Sequence, residues 1–468
     1  MSSNPLRALS RRLKKAAQFA FLKTRDTLKW AFAGFVGNSI RARLLRGTSW
    51  SLVGSVAAGL LQLLLVVVLA RQLGREGYGQ FSLVLSTAST AFMTIGMVVG
   101  LLATRQVASS RSVAPVEAGR ASAFAVVVGW CGGVFLALCL WLGSGHLSRA
   151  IVGNEDLRDL LVISSLIVVP SVVALAQQGV LAGLERFREI AVLKGVSWLL
   201  IVLASYIFAA RFGVTGALIG FFVASVVTAL IGWSLVRRGC REVGIPFRLS
   251  KGSFGATDHV WRNSIPVLLS SAIGMPMLWY TNVLLASTPG GLSEIAVVNA
   301  AMSWRNALLL LPNVIGQSLL PVLSSIWHQR SEHKAARILI WRTVCGVGVA
   351  SLLLAAAIAV ASPYIMSVYG EAFADEYWTL VLLMVSAVAA SIASVLGIVL
   401  FVAGRLWESL WLNLATNLVL IFFIAAFRGH GSEGFALGYA VTFCLHAVVA
   451  SLYVRRLMHS GAMLGSRV

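Results

Sequence analysis

Residues 49–103 read SWSLVGSVAAGLLQLLLVVVLARQLGREGYGQFSLVLSTASTAFMTIGMVVGLLA. Two apolar runs, 49–70 and 79–103, lie on either side of a short connection that holds two arginines and two glycines. The hydrocarbon core of a bilayer is about 30 Å thick, and an α-helix needs about 20 residues to cross it. The stretch therefore predicts two antiparallel transmembrane helices.

The same pattern recurs along the chain of 468 residues, of which 58% are hydrophobic and 12% are charged. With a mean hydropathy of +0.86, this composition is outside the usual range for a water-soluble protein. We predict an all-α integral membrane protein with about 12 transmembrane helices. The spans are placed near residues 49–70, 79–103, 121–143, 160–182, 191–210, 214–236, 264–287, 295–319, 342–362, 378–403, 408–427 and 435–455.

Basic residues are concentrated on alternate connections. With the N-terminus inside, 31 of the 38 Lys and Arg residues fall on the cytoplasmic side, six fall in outward connections, and Arg305 lies within a span. Positive residues are retained on the cytoplasmic side of a membrane. The pattern predicts a multi-pass inner-membrane protein with both termini in the cytoplasm.

A basic connection at 237–263 separates six spans from six, so both halves have the same orientation. We divide the chain into an N-lobe at 49–236 and a C-lobe at 264–456, with cytoplasmic tails at 1–48 and 457–468. The repeat is inferred from the number and spacing of spans, because sequence identity between the halves is faint.

The N-terminal tail, 1–48, holds 11 basic residues and one acid, Asp26, with apolar residues at helical spacing. This pattern fits a helix lying on anionic membrane lipid, a partly disordered tail that fixes topology, or a mitochondrial presequence.

Signatures of catalysis and metal binding are absent from the sequence. The five cysteines form no CxxC pair, the seven histidines form no HExxH, and no P-loop, GxSxG or dinucleotide-binding motif is present. We expect no cofactor, no nucleic-acid partner and a monomer. Coupling to protons or sodium is left unassigned.

The eighth span carries polar residues along one face. Asn299, Ser303, Asn306, Asn313 and Gln317 fall within an arc of about 80° when successive residues are set 100° apart. The length of the row favours the wall of a cavity, because polar residues that only join helices usually number one or two. Asn299, Asn306 and Asn313 are therefore candidate cargo contacts.

Arg305 lies about ten residues into the same span, where an unpaired charge costs several kcal/mol. It is about 100° around the helix from Asn306 and about 16 Å along the axis from Glu294, so it cannot pair directly with that acid. Two interpretations are open. Arg305 contacts an anion in a water-filled cavity, or it is a structural residue that caps backbone carbonyls of a broken neighbouring helix.

Arg105 ends the second span, which carries hydroxyl groups at a spacing of four residues. These hydroxyls are expected chiefly to bond to their own helix backbone. Arg105 is either a topology determinant or the first cationic contact for an incoming anion. The hydroxyl residues of span two are Ser82, Ser86, Thr90 and Thr94, and span eleven adds Asn413, Thr416 and Asn417 as candidates for the same cavity.

The order of several short elements resembles one family. Residues 73–82, LGREGYGQFS, resemble the LGxxxYGxF connection of bacterial polysaccharide flippases (Wzx-like), and residues 183–187, GLERF, resemble the GxERF element of that family. The same holds for WRN at 304–306, LP at 311–312 and LPVLS at 320–324. The matches cover the first eight spans, and the last four agree only in number and length.

The resemblance implies the multidrug, oligosaccharidyl-lipid and polysaccharide exporter superfamily, with two six-helix lobes around a central cavity. It implies a polyprenyl-diphosphate-linked oligosaccharide as cargo, moved between leaflets by alternating access, and polysaccharide polymerase machinery as a partner. Arginine and amide groups suit such an anionic head. Where relatives often have an acidic residue late in span seven, this chain has Thr281 and Asn282, which puts cation coupling through that position in doubt.

Three other functions stay open from the sequence. A cation-coupled multidrug antiporter of the same superfamily needs an acidic site, and the span residues supply only Glu294 and Glu408 near helix ends. A membrane glycosyl polymerase or ligase needs a large outward loop, and the longest outward stretches are the short ones at 144–159 and 363–377. An assembly scaffold for synthesis enzymes is excluded by no sequence feature.

Overall fold

The computed structural model describes residues 40–151, 156–246, 258–327 and 333–459, and the regular elements among them are all helices. The helices are α1 (Ile40–Ser110), α2 (Pro115–Ile151), α3 (Asp156–Gly183), α4 (Phe187–Glu242), α5 (Asp258–Ala286), α6 (Gly291–Trp327), α7 (His333–Val360), α8 (Ser362–Tyr369), α9 (Glu371–Ala374), α10 (Tyr377–Val402), α11 (Leu406–Phe427), a 3₁₀ turn (Arg428–His430) and α12 (Gly431–His459).

The described helices have the length and composition for about twelve membrane crossings. Eight helical segments are long and apolar enough to cross a bilayer, and three of them, Gly47–Ser110, Phe187–Glu242 and Leu406–Met458, are long enough for two crossings each. α5 contains a shorter apolar segment, Ala272–Ala286, and the whole helix of 29 residues has the length for one more crossing. The predicted all-α membrane fold is confirmed.

The first two long segments break where the sequence places glycine. In α1 the break is at Gly74, which has a φ of 72°, and in α4 it is at Phe212 and Gly213, with a φ of 57° at Gly213. A positive φ is costly for residues with a Cβ atom, so glycine is favoured at both bends. Both bends lie in connections predicted between spans.

Several helices extend beyond the predicted spans. α2 begins at Pro115 and α7 at His333, six and nine residues before the predicted starts. Hydropathy marks only the part of a helix in hydrocarbon, whereas the helix itself continues into the headgroup region with its backbone hydrogen bonds intact. The stretch 363–377, predicted as a loop, contains most of α8 and all of α9, where Tyr369 and Phe373 are fully buried.

The helices form two groups. α1–α4 pack together, α5–α12 pack together, and the main contact between the groups is α1 against α6. We call the end of the bundle that holds Gly74, Gly290 and Gly370 the outer end, because the charge distribution predicts that it faces away from the cytoplasm. The opposite end, which holds Arg105 and Arg186, is the inner end.

Parts of the predicted tails and of the inter-lobe connection lie outside the described residues. These parts are 1–39, 247–257 and 460–468. The surface helix expected in the tail at 1–48 stays a prediction. Within the connection at 237–263, α4 continues to Glu242 and α5 begins at Asp258, so less of it is loop than expected.

Candidate functional site

A cavity of about 380 Å³ lies between the two groups of helices, walled by α1, α3, α4 and α6. None of its 26 lining residues, all within the described part of the chain, is charged. The lining combines aromatic side chains with hydroxyl and amide groups. The aromatic residues are Tyr78, Phe81, Phe92, Trp198 and Phe221, and the polar ones are Gln62, Ser82, Ser86, Ser89, Ser171, Gln178, Ser197, Ser225, Thr228, Asn299, Ser303 and Asn306.

α6 contributes the polar face that its sequence predicted. Asn299, Ser303 and Asn306 all line the cavity. Asn299 donates to the Ile295 carbonyl at 3.0 Å, and the Ser303 hydroxyl donates to its own helix, so part of their bonding capacity is used within α6. Asn306 is exposed to the cavity, and no hydrogen bond from its amide to another described residue is present. Its amide is therefore available to a cargo.

Asn313 lies in a separate cleft of about 430 Å³ towards the inner end, between α1, α6 and α10. Ser55 of α1 and Ser394 of α10 line the same cleft. Asn299, Asn306 and Asn313 are seven residues apart, which is about 10.5 Å per step along an α-helix. The three amides form a row that leads from the cleft into the cavity. The side chain of Gln317 is outside the described residues.

Arg305 points away from the cavity, into the helices of the C-lobe. Its side chain is 7% exposed, and its Nε donates to the Ser386 hydroxyl of α10 at 2.8 Å. The guanidinium carbon lies 4.6 Å from the ring centre of Phe443 and 5.4 Å from that of Tyr439, both on α12. Such stacking stabilises a cation that has been removed from water. The structure therefore does not bring Arg305 together with Asn299 and Asn306.

Three of the four hydroxyls of the second span, those of Ser86, Thr90 and Thr94, bond to backbone carbonyls of their own helix, as expected. Ser86 donates to the Leu83 carbonyl at 2.8 Å, and Thr90 donates to the Ser86 carbonyl at 2.9 Å. Ser82 and Ser86 line the cavity at the same time. Arg105 is exposed at the inner end of α1, outside the cavity lining.

The polar residues of span eleven do not reach this cavity. Asn413 and Asn417 line a small cleft between α5 and α11 with Ser270, and the Thr416 hydroxyl contacts Nδ1 of His446 on α12. Thr416 therefore joins two helices of the C-lobe, which is a frequent role for hydroxyls in membranes, and the two amides face a cleft within that lobe.

Most of the polar lining comes from residues that the sequence analysis did not single out. Ser171 and Gln178 of α3 and Ser197 and Thr228 of α4 line the cavity, and the Thr228 hydroxyl lies 3.1 Å from that of Ser197. They are scattered one or two per span and form no row. The available signal was Pro170, which precedes Ser171 inside an apolar span and also lines the cavity.

The GLERF element at 183–187 forms several ion pairs at the inner end, and we call Glu185 and Arg186 with their partners the inner clamp. Glu185 adopts a φ of 60° in the α3–α4 turn and pairs with Arg111. Arg186 pairs with Glu189 at 2.6 Å and also with Glu242 at the end of α4. The element therefore ties the α3–α4 turn to both ends of α4 and to the residue that follows α1. The described residues contain no group of three or more His, Cys, Asp and Glu side chains placed to hold a metal ion.

Comparison with known proteins gives a family and a fold. The family described as "Polysaccharide biosynthesis protein" matches residues 44–327. The chain is 21% identical over 316 residues to the "EPS I polysaccharide export inner membrane protein EpsE" of Ralstonia nicotianae, which covers 66% of this chain and 70% of that protein.

Solved structures of similar fold include an inward-facing multidrug resistance MATE family transporter of the MOP superfamily. The TM-score is 0.72 at 16% identity, over 92% of this chain and 98% of that one. A MOP superfamily transporter from Pyrococcus furiosus, reported with a binding pocket of reverse polarity, aligns with a TM-score of 0.65 at 17% identity, over 91% and 97% of the two chains. At these identities the matches show a shared fold.

Proposed function

The chain belongs to the polysaccharide biosynthesis protein family, and on that premise we propose that it moves a polyprenyl-diphosphate-linked oligosaccharide from the cytoplasmic to the outer leaflet of the inner membrane. The membrane fold of transporters, the family and the relative named for polysaccharide export support a transport role in polysaccharide biosynthesis. The proposal goes beyond that transport role in two points, the lipid-linked cargo and the mechanism of alternating access.

The neutral polar lining of the cavity carries the proposal. A sugar offers many hydroxyl groups that donate and accept hydrogen bonds, and serine, threonine and amide side chains do both. The partly exposed aromatic side chains Trp198 and Phe92 line the cavity and offer apolar surface for the faces of sugar rings. Pockets that combine apolar walls with a few fixed polar groups are typical ligand sites.

The main rival is an antiporter for organic cations. A cation in a site shielded from water needs a carboxylate or an equivalent charge nearby. The described lining of the cavity contains no Asp or Glu, so it offers an organic cation no countercharge. An uncharged glycan avoids this cost, because its hydroxyl groups need hydrogen bonds and no countercharge.

We assign different parts of the path to different parts of the cargo. Asn299 and Asn306 contact sugars in the cavity, Asn313 lines the approach from the inner end, and Arg105 attracts the diphosphate at the inner surface. Arg305 holds α6 within the C-lobe and acts on the cargo through the position of α6. Its hydrogen bond to Ser386 and its stacking on Phe443 support this role.

A charge placed at residue 306 tests the proposal. Asn306→Asp is close in size and replaces a neutral amide with a carboxylate, which donates no hydrogen bond and loses its hydration when a glycan binds, whereas Asn306→Ser stays neutral and polar and is the matched control. In a strain that lacks its own flippase, we expect the Asp variant to leave lipid-linked oligosaccharide on the inner leaflet and the Ser variant to transport it. Both proteins must be present at normal abundance. Normal glycan transport by the Asp variant, or organic-cation efflux by the wild type, would favour the antiporter.

A further inference from the structure

Arg75 spans the two lobes at the outer end of the bundle. It lies on α1, within the N-lobe, and directly follows the bend at Gly74. Its Nη2 lies 2.9 Å from Oε1 of Glu294 and 2.8 Å from Oε1 of Glu376, which begin or precede helices of the C-lobe. The three side chains are 21–23% exposed, so the two ion pairs are partly shielded from water.

The same guanidinium group also donates to two backbone carbonyls of the C-lobe. Nε donates to the Ser293 carbonyl at 3.2 Å, and Nη1 donates to the Ala372 carbonyl at 3.1 Å. One arginine therefore contacts the start of α6, the short helix α9 and the residue before α10. A planar group with several donors is suited to this, and a lysine is not.

The two carboxylates are held in place by groups of their own lobe. Oε2 of Glu294 accepts from the backbone N–H of Ser432 at 2.7 Å, and Oε2 of Glu376 lies 3.1 Å from the Ser432 hydroxyl. That hydroxyl is in turn 3.0 Å from the Thr379 hydroxyl. The acceptors are therefore organised within the C-lobe without the help of Arg75, and Arg75 is the part that arrives from the N-lobe.

The backbones of α1 and α6 are also in close contact near Arg75. One turn after Arg75, a Cβ atom on Gly79 would lie 1.8 Å from the carbonyl oxygen of Leu292, which no real side chain allows. α1 and α6 can approach this closely only because residue 79 is glycine. By contrast, a Cβ on Gly77 would meet only N-lobe side chains, at 3.2 and 3.4 Å.

Release of a cargo from the cavity to the outside requires the outer ends of the lobes to separate. Separation would break every contact of Arg75 with the C-lobe and would leave the contacts within each lobe intact. We propose that Arg75, with Glu294 and Glu376, is the latch that holds the outer end closed, and that Gly79 sets the spacing of the closed state. The inference rests on the proposed function only in requiring that the outer end opens.

Accessibility of the cavity from outside tests the latch. Ser89, a lining residue of α1, is replaced by cysteine in a chain freed of its five native cysteines, and a membrane-impermeant maleimide is added to intact cells. Loss of two partly shielded ion pairs should raise the labelling rate about tenfold in Arg75→Ala. Gly79→Ala should raise it similarly by a purely steric route.

Two matched control variants show whether faster labelling comes from loss of the latch or from a general loss of structure at the outer end. Arg149→Ala removes another arginine near the outer end, one whose Nε donates to Gly145 of its own helix, and Gly77→Ala alters the neighbouring glycine of the same connection. Both should label at the normal rate. Arg75→Lys should fall between wild type and Arg75→Ala, because it keeps the charge and loses the planar contacts.

The outcomes distinguish the latch from the cargo. Faster labelling in Arg75→Ala and Gly79→Ala without any glycan transport by the wild type would keep the latch and remove the proposed function. Unchanged labelling in both variants, at normal abundance and with glycan transport intact, would remove the latch. Equal acceleration in the Arg149 and Gly77 variants would also overturn it, because the effect would then not depend on contacts between the lobes.

Discussion

Replacement of Arg305 tests whether this buried cation holds the C-lobe together or touches the cargo. Arg305→Ala loses a hydrogen bond to Ser386, about 1.5–3 kcal/mol for a bond to a charged group, and stacking on Phe443, about 2 kcal/mol when desolvated. It also leaves a void. Against these losses, it removes the cost of keeping a cation out of water, which is several kcal/mol. We expect a net destabilisation of about 2 kcal/mol.

Arg305→Met isolates the charge from the volume. The methionine fills most of the space and stacks on Phe443 and Tyr439 without a buried charge, so stability should change by less than about 1 kcal/mol. If Arg305 only positions α6, transport per folded molecule should remain close to normal in this variant. If Arg305 contacts the diphosphate, the Met variant should fold well and transport nothing.

The assay therefore has two parts measured in the same membranes. Folded protein is followed by fluorescence-detected size exclusion after heating, and transport is followed by complementation of a flippase-deficient strain. Ser386→Ala supplies the matched control, because it removes the partner of Nε and leaves the cation in place. A well-folded but inactive Met variant would refute the positioning role, whereas a destabilised Ala variant with an active Met variant would support it.

Two further predictions concern topology and the inner clamp. Alkaline phosphatase fused after residue 460 or within 247–257 should be inactive, because the basic residues place both on the cytoplasmic side, and an active fusion at either place would reverse the orientation. Arg186→Gln should loosen the α3–α4 turn, since it breaks the ion pairs with Glu189 and Glu242 at once, and hydrogen exchange of the turn should report it. The Arg238 side chain is 71% exposed and forms one ion pair, so Arg238→Gln should change hydrogen exchange of the turn much less, and an equal effect in both variants would contradict the clamp.

The membrane fold was predictable because the length of an apolar run is itself the physical requirement for crossing a bilayer. The bends at Gly74 and Gly213 fell in the predicted connections for the same reason. Helix ends were less predictable, because a helix that leaves hydrocarbon loses its apolar pattern and keeps its backbone bonds. The extension of α7 back to His333 is an example.

The candidate site was predictable only where one helix carries the pattern. The period of α6 placed Asn299, Ser303 and Asn306 on one face, and all three line the cavity. The same period put Arg305 about 100° away from Asn306, but its neighbours Ser386 and Phe443 are brought there by tertiary packing, which a single-helix pattern does not contain.

Long-range ion pairs were beyond the reach of sequence patterns. Glu294 was correctly excluded as a partner of Arg305 by its distance along the helix, but its actual partner, Arg75, is 219 positions away in the chain. Likewise, the polar lining from α3 and α4 becomes one surface only when those helices meet. Scattered single serines and glutamines in apolar spans carry no periodic signal from which such a surface can be predicted.

Among the described residues, nine polar residues of the cavity lining lie on α1, α3 and α4, and three lie on α6. A glycan held mainly by the N-lobe would keep most of its bonds when the C-lobe swings away, so it would bind both states with similar affinity. A ligand with equal affinity for two states does not shift their balance. Under the proposed function the protein would then move the glycan equally well in both directions. Net export would depend on a reaction that consumes the glycan on the outer leaflet.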